Sequence, residues 1–450
     1  MYDLVLPLLL LLLHFTSPPR VSGVGVNYGT LGNNLPPPKK VAQLLQSTLI
    51  SKVKIYDTNP DILAAFSNTG IDLIVAVENS HVANLSSNPS AAADWFTSRV
   101  APFIPATSVV AVAVGNEYFT AEPDLDPNAL PKAMKNLHAA LVSRGLDRKI
   151  KVTTPHSMAV LAASFPPSAA TFAATLVPAM TAVVGFLADT GAPFMVNAYP
   201  YFAYRDNPKI IDLEYALLGN ATGGGVADNG LTYTNMLDAQ IDAVRSAVGS
   251  LGFANRSVRM AVSESGWPSR GGPAATPENA RTYNARLVER AQWKKGTPMK
   301  PNEGVEIFIF GLFNENEKGG GESERNFGIF NSDGSRVYDV DLRCEFCSKA
   351  EAGEKVARGP SVWCVAKPHA DEEVMKGVVE FCCGGGGVDC REIEENGECY
   401  VPDRLHAHAS YAMNAYYQMH GRNYWNCDFK GTALVTFTDP SYGRCRYAQQ

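Results

Sequence analysis

The sequence predicts an α/β architecture: a (β/α)8 TIM barrel followed by a small disulfide-rich C-terminal module. Three observations carry that expectation. Eight strand-like runs alternate with helix-like stretches between residues 24 and 314, the pattern of a parallel sheet wrapped by helices. No Gly-x-Gly-x-x-Gly run follows the first strand, which removes the main signature of an open doubly wound sheet. All nine cysteines lie after residue 343, so the first three quarters of the chain fold without a disulfide.

The strand-like runs cover residues 24–28, 52–56, 72–77, 109–114, 150–153, 194–197, 258–262 and 306–312. The runs at 109–114 and 258–262 are β-branched and Ala/Val-rich, which reads as buried strand. Helix-like stretches include 37–46, 127–143, 236–248 and 276–292. The last opens on Thr276-Pro277-Glu278-Asn279, with Thr as N-cap and Pro at the first helical position. The boundaries expected from these patterns are a signal peptide over 1–22, a barrel over 23–343, a linker over 344–360 and a stapled module over 361–450.

The N-terminal apolar run 5–13 is too short to span a bilayer and is followed by small residues. It reads as a secretory signal removed near residue 22 or 23. Sequons at Asn84, Asn220 and Asn255 and the cysteine-dense tail agree with an extracellular or cell-wall location. The chain ends on Cys445-Arg446-Tyr447-Ala448-Gln449-Gln450, with no hydrophobic tail that would predict a GPI anchor. A net charge of −6 with no long basic run weighs against nucleic acid and suits a neutral substrate. Cys344 and Cys347 have no partner pair at zinc-finger spacing, so no metal and no cofactor is expected.

In a barrel of this kind the site lies at the C-terminal ends of the strands. That rule selects Tyr28, Asp57, Glu78, Asn116, Glu117, His156, Asn197, Tyr199, Glu264, Trp267, Asn314 and Glu315. Glu117 follows the fourth strand and Glu264 the seventh, so the two carboxylates converge across one rim. Such a pair is the minimal equipment for splitting a glycosidic bond, one group protonating the leaving oxygen and the other attacking or activating water. Tyr28, Tyr199, Tyr201, Trp267 and Phe313 are aromatics at or near strand ends, suited to stacking on the C–H faces of sugar rings. His81 and His156 have no partner pattern for a metal or a triad. Glu324 follows the last strand and is a rival acid, ranked below Glu117 because a loop carboxylate is harder to hold in place.

The order of short motifs resembles the plant β-1,3-glucanases of glycoside hydrolase family 17. It runs from Gly25-Val26-Asn27-Tyr28-Gly29 and Leu31-Gly32-Asn33-Asn34-Leu35-Pro36 through Lys54-Ile55-Tyr56-Asp57 and Gly115-Asn116-Glu117. It continues through Val262-Ser263-Glu264-Ser265-Gly266-Trp267-Pro268 to Phe313-Asn314-Glu315-Asn316. The resemblance implies a retaining endo-glycosidase acting on β-1,3-glucan, with Glu117 as acid/base and Glu264 as nucleophile. It adds Glu315, Lys318 and Glu324 as charged positions near the cleft, which with the strand-end Tyr28, Asn116, Asn197, Tyr199, Trp267 and Phe313 make the expected substrate-binding set, Asn116 being expected on the sugar 2-hydroxyl. Lys54 stands where the family more often has Arg; the charge is kept and the bidentate geometry lost.

The tail is similar to the plant six-cysteine X8 module, also called carbohydrate-binding module family 43. The matching residues include Trp363-Cys364-Val365-Ala366, His408-Ala409-Ser410-Tyr411-Ala412-Met413-Asn414 and Cys427-Asp428-Phe429. This likeness implies a framework of Cys364, Cys383, Cys390, Cys399, Cys427 and Cys445, leaving Cys344, Cys347 and Cys382 outside it. Six cysteines allow fifteen connectivities, which the sequence leaves open. Trp363, Tyr416, Tyr417 and Trp425 are candidates for a glucan-binding face. The expected whole is a secreted monomer that hydrolyses β-1,3-glucan without nucleic acid or membrane partners. The competing readings are a non-catalytic glucan-binding wall protein and a transglycosylase using the same glutamates.

Overall fold

The computed structural model describes residues 24–121, 124–221, 223–342, 363–420, 424–436 and 438–448. The expected signal peptide and linker, with Cys344 and Cys347, lie outside the described residues, as does the Trp425 side chain. Six strands come first: β1 (Val24–Asn27), β2 (Ile50–Lys54), β3 (Asp72–Val77), β4 (Ser108–Val114), β5 (Lys151–Thr153) and β6 (Pro155–Ser157). A small hairpin, β7 (Leu161–Ala163) and β8 (Thr171–Phe172), precedes β9 (Phe194–Asn197). A second hairpin, β10 (Val226–Asp228) and β11 (Leu231–Tyr233), precedes β12 (Met260–Ser265) and β13 (Glu306–Ile309).

The main sheet runs β5-β4-β3-β2-β1-β13-β12-β9-β6, all parallel. Eight expected runs thus give nine strands, because the fifth is interrupted at Thr154. Its first half pairs with β4 and its second half with β9, so one broken run closes the ring of a nearly complete TIM-like barrel. The runs expected at 52–56 and 306–312 stop earlier, at Lys54 and Ile309, and the run expected to stop at 262 continues to Ser265.

Alternation along each strand sorts side chains into two cores. Ile74, Ala76, Ala111, Ala113, Met195, Ala261 and Phe308 form one small cluster that fills the barrel lumen. The residues between them, among them Val75, Val77, Val112, Val114, Val196, Val262 and Ile309, belong to the larger core under the helices. The helix Pro277–Gln292 shows how those helices are set: Thr276 Oγ1 accepts the Asn279 amide, and Ala280, Tyr283, Leu287, Val288 and Ala291 form the buried stripe.

The C-terminal unit pairs β14 (Trp363–Ala366) antiparallel with β15 (Ala433–Thr436), beside the helices Glu372–Cys383 and Leu405–Met419. Its core is separate and cysteine-rich. The bridges are Cys364–Cys427, Cys383–Cys390 and Cys399–Cys445, one of the fifteen open pairings. Cys382 is buried and unpaired among the described residues, and burial pushes its thiol up to about 12.

Candidate active site

Glu264 owes its position to a bulge. Ala261 faces the lumen, so strict alternation would send Glu264 outward to the helices. Between Val262 and Glu264, however, β12 advances two residues while β9 advances one, from Val196 to Asn197. The mismatch recurs against β13, where Val262 to Ser265 spans Ile307 to Ile309. The extra residue turns Glu264 into the barrel mouth, as bulges beside active sites do.

There the Glu264 carboxylate is almost fully enclosed and holds three donors. Lys54 Nζ (2.8 Å) and the Tyr56 hydroxyl (2.8 Å) reach Oε1, and the Tyr199 hydroxyl (2.8 Å) reaches Oε2. Burial alone pushes this carboxyl up. The Lys54 charge and the hydrogen bonds from Lys54, Tyr199 and Tyr56 outweigh it, and the pKa lies below the ordinary value. Lys54 is itself buried, with its ammonium 4.0 Å from the centre of the Tyr56 ring and 3.3 Å from Asn116 Oδ1.

Glu117 is set in the opposite way. It follows Gly115-Asn116 just past β4 and has φ +52, a left-handed backbone uncommon for a glutamate. Local bonds hold that conformation. The Glu117 amide donates to Pro155 O (2.9 Å), and its carbonyl accepts the Thr120 and Ala121 amides. Asn79 clasps Asn116 from both sides, accepting its amide and donating to its carbonyl. Asn197 Nδ2 donates to Glu117 Oε1 (2.8 Å), while its Oδ1 accepts from Ser263 Oγ (2.7 Å), which fixes the amide's orientation. Burial and the nearby Glu264 charge raise the Glu117 pKa, against the lowering pull of Asn197 and Lys54. Two neighbouring carboxyls are therefore driven apart, one toward the acid form and one toward the carboxylate.

Around them, Glu315 is buried, accepts the Leu31 amide at 2.7 Å, and has its pKa raised by burial. Gly29 lies close beside it, and a Cβ there would displace the Glu315 carboxylate. Lys318 pairs with Glu324 (3.3 Å) and stands 4.1 Å over the Phe310 ring. Tyr199 is half-buried among Phe202, Phe310 and Phe327.

Four expected sugar platforms need correction, and Tyr201, with none of its surface exposed, is one of them. Trp267 is fully buried, donates its indole N–H to Ala274 O, and packs against Tyr201, Tyr204 and Tyr283. It is core, and presents no face to a ligand. Phe313 and Tyr28 are nearly as enclosed, packed edge to face with each other at 6.2 Å. In the tail, Trp363 and Tyr417 are likewise buried. Packing takes these rings because they are large and apolar, a competition that residue type alone does not resolve. His156, whose lack of partners left a core or a surface role open, is in the core.

Two site residues escaped the sequence reading as chemistry: Lys54, noted only for its departure from Arg, and Tyr56. A signal existed. Val53 and Ile55 join the helix-side core, so alternation along 52–56 sends Lys54 and Tyr56 inward, and a lysine facing a barrel interior needs an anion.

A parallel barrel with paired, oppositely tuned carboxyls at the strand ends defines a glycosidase-type barrel protein. Within that class the chain belongs to glycosyl hydrolases family 17, which residues 24–342 match; residues 362–434 match the X8 domain. Glucan endo-1,3-beta-glucosidase 7 of Arabidopsis thaliana is 41% identical over 98% of this chain and 87% of its own length. Glucan endo-1,3-beta-D-glucosidase of Olea europaea is 39% identical over 97% and 96%. Among solved structures, the β-1,3-glucanase and allergen CJP38 of Cryptomeria japonica pollen is 42% identical. It aligns with a TM-score of 0.68 over 72% of this chain and all of its own.

Proposed function

We propose that the chain is a secreted, monomeric endo-hydrolase of 1,3-β-D-glucosidic linkages that retains anomeric configuration. The observation that supports it best is the opposite setting of the two glutamates. Glu264, held ionised by Lys54 and two tyrosines, attacks the anomeric carbon as the glycosidic C–O bond breaks. Glu117, kept protonated by burial and by Glu264, passes its proton to the leaving oxygen. The resulting Glu117 carboxylate then takes a proton from water, which attacks the same carbon and frees Glu264. Asn116, next to Lys54, takes the 2-hydroxyl, and the half-buried Tyr199 lines the sugar path.

Proton NMR of fresh digests of a reduced β-1,3-glucan oligosaccharide tests this. The β anomer appearing first is the expected result; initial α anomer overturns retention. Glu264→Gln should abolish reducing-end release while leaving the circular dichroism spectrum unchanged. Products longer than the starting oligosaccharide would assign the second step to sugar transfer instead of water.

The tail is proposed to hold the enzyme on insoluble glucan through one side of its helices. Phe381 (48% exposed) and Met419 (44% exposed) flank Tyr416, which stacks on His420 at 3.9 Å and meets Phe381 at 5.4 Å. Such rings suit a neutral polysaccharide. Loss of pull-down by insoluble β-1,3-glucan on Phe381→Ser supports this face; undiminished retention removes it.

A further inference from the structure

We propose that His156, a fully buried histidine outside the catalytic constellation, is the positioning residue that holds the Glu117 turn against the barrel. The inference rests on Glu117 being the proton donor. His156 is the middle residue of β6, the strand that completes the ring. Both neighbours of His156 reach the Glu117 system. Pro155 O accepts the Glu117 amide at 2.9 Å, and Ser157 lies in register with Asn197, whose side chain holds the Glu117 carboxyl at 2.8 Å. His156 supplies the third hold. Its imidazole lies flat on the Phe119 ring, at 5.3 Å with 7° between planes, and Phe194 backs it at 4.9 Å.

Phe119 lies two residues after Glu117 in the one-turn helix Tyr118–Ala121, whose Thr120 and Ala121 amides donate to the Glu117 carbonyl. The stack therefore clamps the far side of a turn whose near side is a glutamate at φ +52. A left-handed glutamate is strained and persists only where its surroundings over-determine it. Here the backbone bond to Pro155, the amide of Asn197 and the stacked ring pair do so together. Neither ring nitrogen of His156 has a hydrogen-bond partner among the described residues. Burial lowers its pKa to about 3, so the ring stays neutral and acts through its flat face.

The test separates positioning of an acid from general damage by changing how much the leaving group needs a proton. Turnover of β-1,3-glucan requires the acid, whereas the burst of dinitrophenolate from a dinitrophenyl β-laminaribioside does not. Glu117→Gln should lose the first and keep the second, and a burst lost equally would overturn the donor assignment itself. With that control satisfied, His156→Ala should lower kcat on glucan roughly ten- to hundredfold, as expected for a misplaced catalytic group. Its burst rate and KM should stay within about twofold, because binding and attack do not use the donor. Its alkaline pH limit should move down, as water reaches the Glu117 carboxyl. His156→Phe, which keeps the stack, should match the parent. Phe119→Leu, which removes the stack from the other side, should repeat the His156→Ala pattern even if His156→Ala folds poorly. The proposal is wrong if folded His156→Ala or Phe119→Leu retains parental glucan turnover and pH profile. It is also wrong if glucan turnover and burst fall together, or if His156→Phe is as impaired as His156→Ala.

Discussion

Lys54 is the residue on which the protonation state of the site turns. Its ammonium is what lets a buried Glu264 stay charged, since burial alone would drive that carboxyl neutral. Replacing it by methionine leaves desolvation opposed only by two tyrosine hydroxyls, so the Glu264 pKa rises. The sign follows. Glu264 must be ionised to attack, its folded pKa is depressed, and both activity and its contribution to stability are lost as pH falls through that value. In Lys54→Met the acid limb of the kcat/KM profile should move to higher pH, and breaking the buried pair should cost about 3–5 kcal/mol in denaturant unfolding. Lys54→Arg keeps the charge and should keep the limb near its original position. An acid limb unmoved in Lys54→Met would show that the two tyrosines suffice. At the other end of the profile, Glu117 has a raised pKa and must be protonated, so activity falls as pH climbs through it. Alternation within 52–56 made Lys54 and Tyr56 legible as inward-facing. Their partner was not legible, because it lies 210 and 208 residues away in sequence.

At the scale of elements, two irregular strands make the site. β6 resumes the fifth run after Thr154, and the bulge in β12 turns Glu264 inward. The end of β12 is packed tightly: a Cβ on Gly266 would overlap the Phe310 carbonyl oxygen. That carbonyl belongs to the chain leaving β13, and the Phe310 amide donates to Ser265 O at 2.8 Å. Gly266→Ala should therefore force the two strand ends apart, with a loss at or above the upper end of the roughly 1–3 kcal/mol typical of overpacking. Thermal unfolding checks this, and a melting temperature within a degree of the parent would show that the strand ends give way freely. The strand runs were readable from β-branched and Ala/Val-rich composition. The bulge was not, because it exists only as a mismatch of register with β9 and β13, and neither strand's sequence marks it.

Over the whole molecule, cysteine usage divides the chain into two chemically different units. The barrel, residues 24–342, contains no cysteine, and the tail unit closes three bridges over separations of 7, 46 and 63 residues. A unit this small has a thin core and depends on such bridges, each worth about 2–5 kcal/mol in small secreted domains. A reductant should abolish the tail's calorimetric transition and leave the barrel transition and the turnover of soluble oligosaccharides in place. Loss of both together would mean that the barrel depends on the tail's fold.

What the sequence determined by itself was the information carried locally. Strand and helix periods predicted the barrel, the position of every cysteine predicted a stapled tail, and two strand-end glutamates stood out as a possible acid and nucleophile. What only the tertiary structure decided was everything set by a partner far along the chain. It paired Cys364 with Cys427, took Trp267 and Phe313 into the packing, broke the fifth strand and turned Glu264 to meet Lys54. The physical reason is common to all four. A residue's tendency to be buried, extended or charged is its own, but which neighbour satisfies it depends on strand register and packing, and these exist only once the ring has closed.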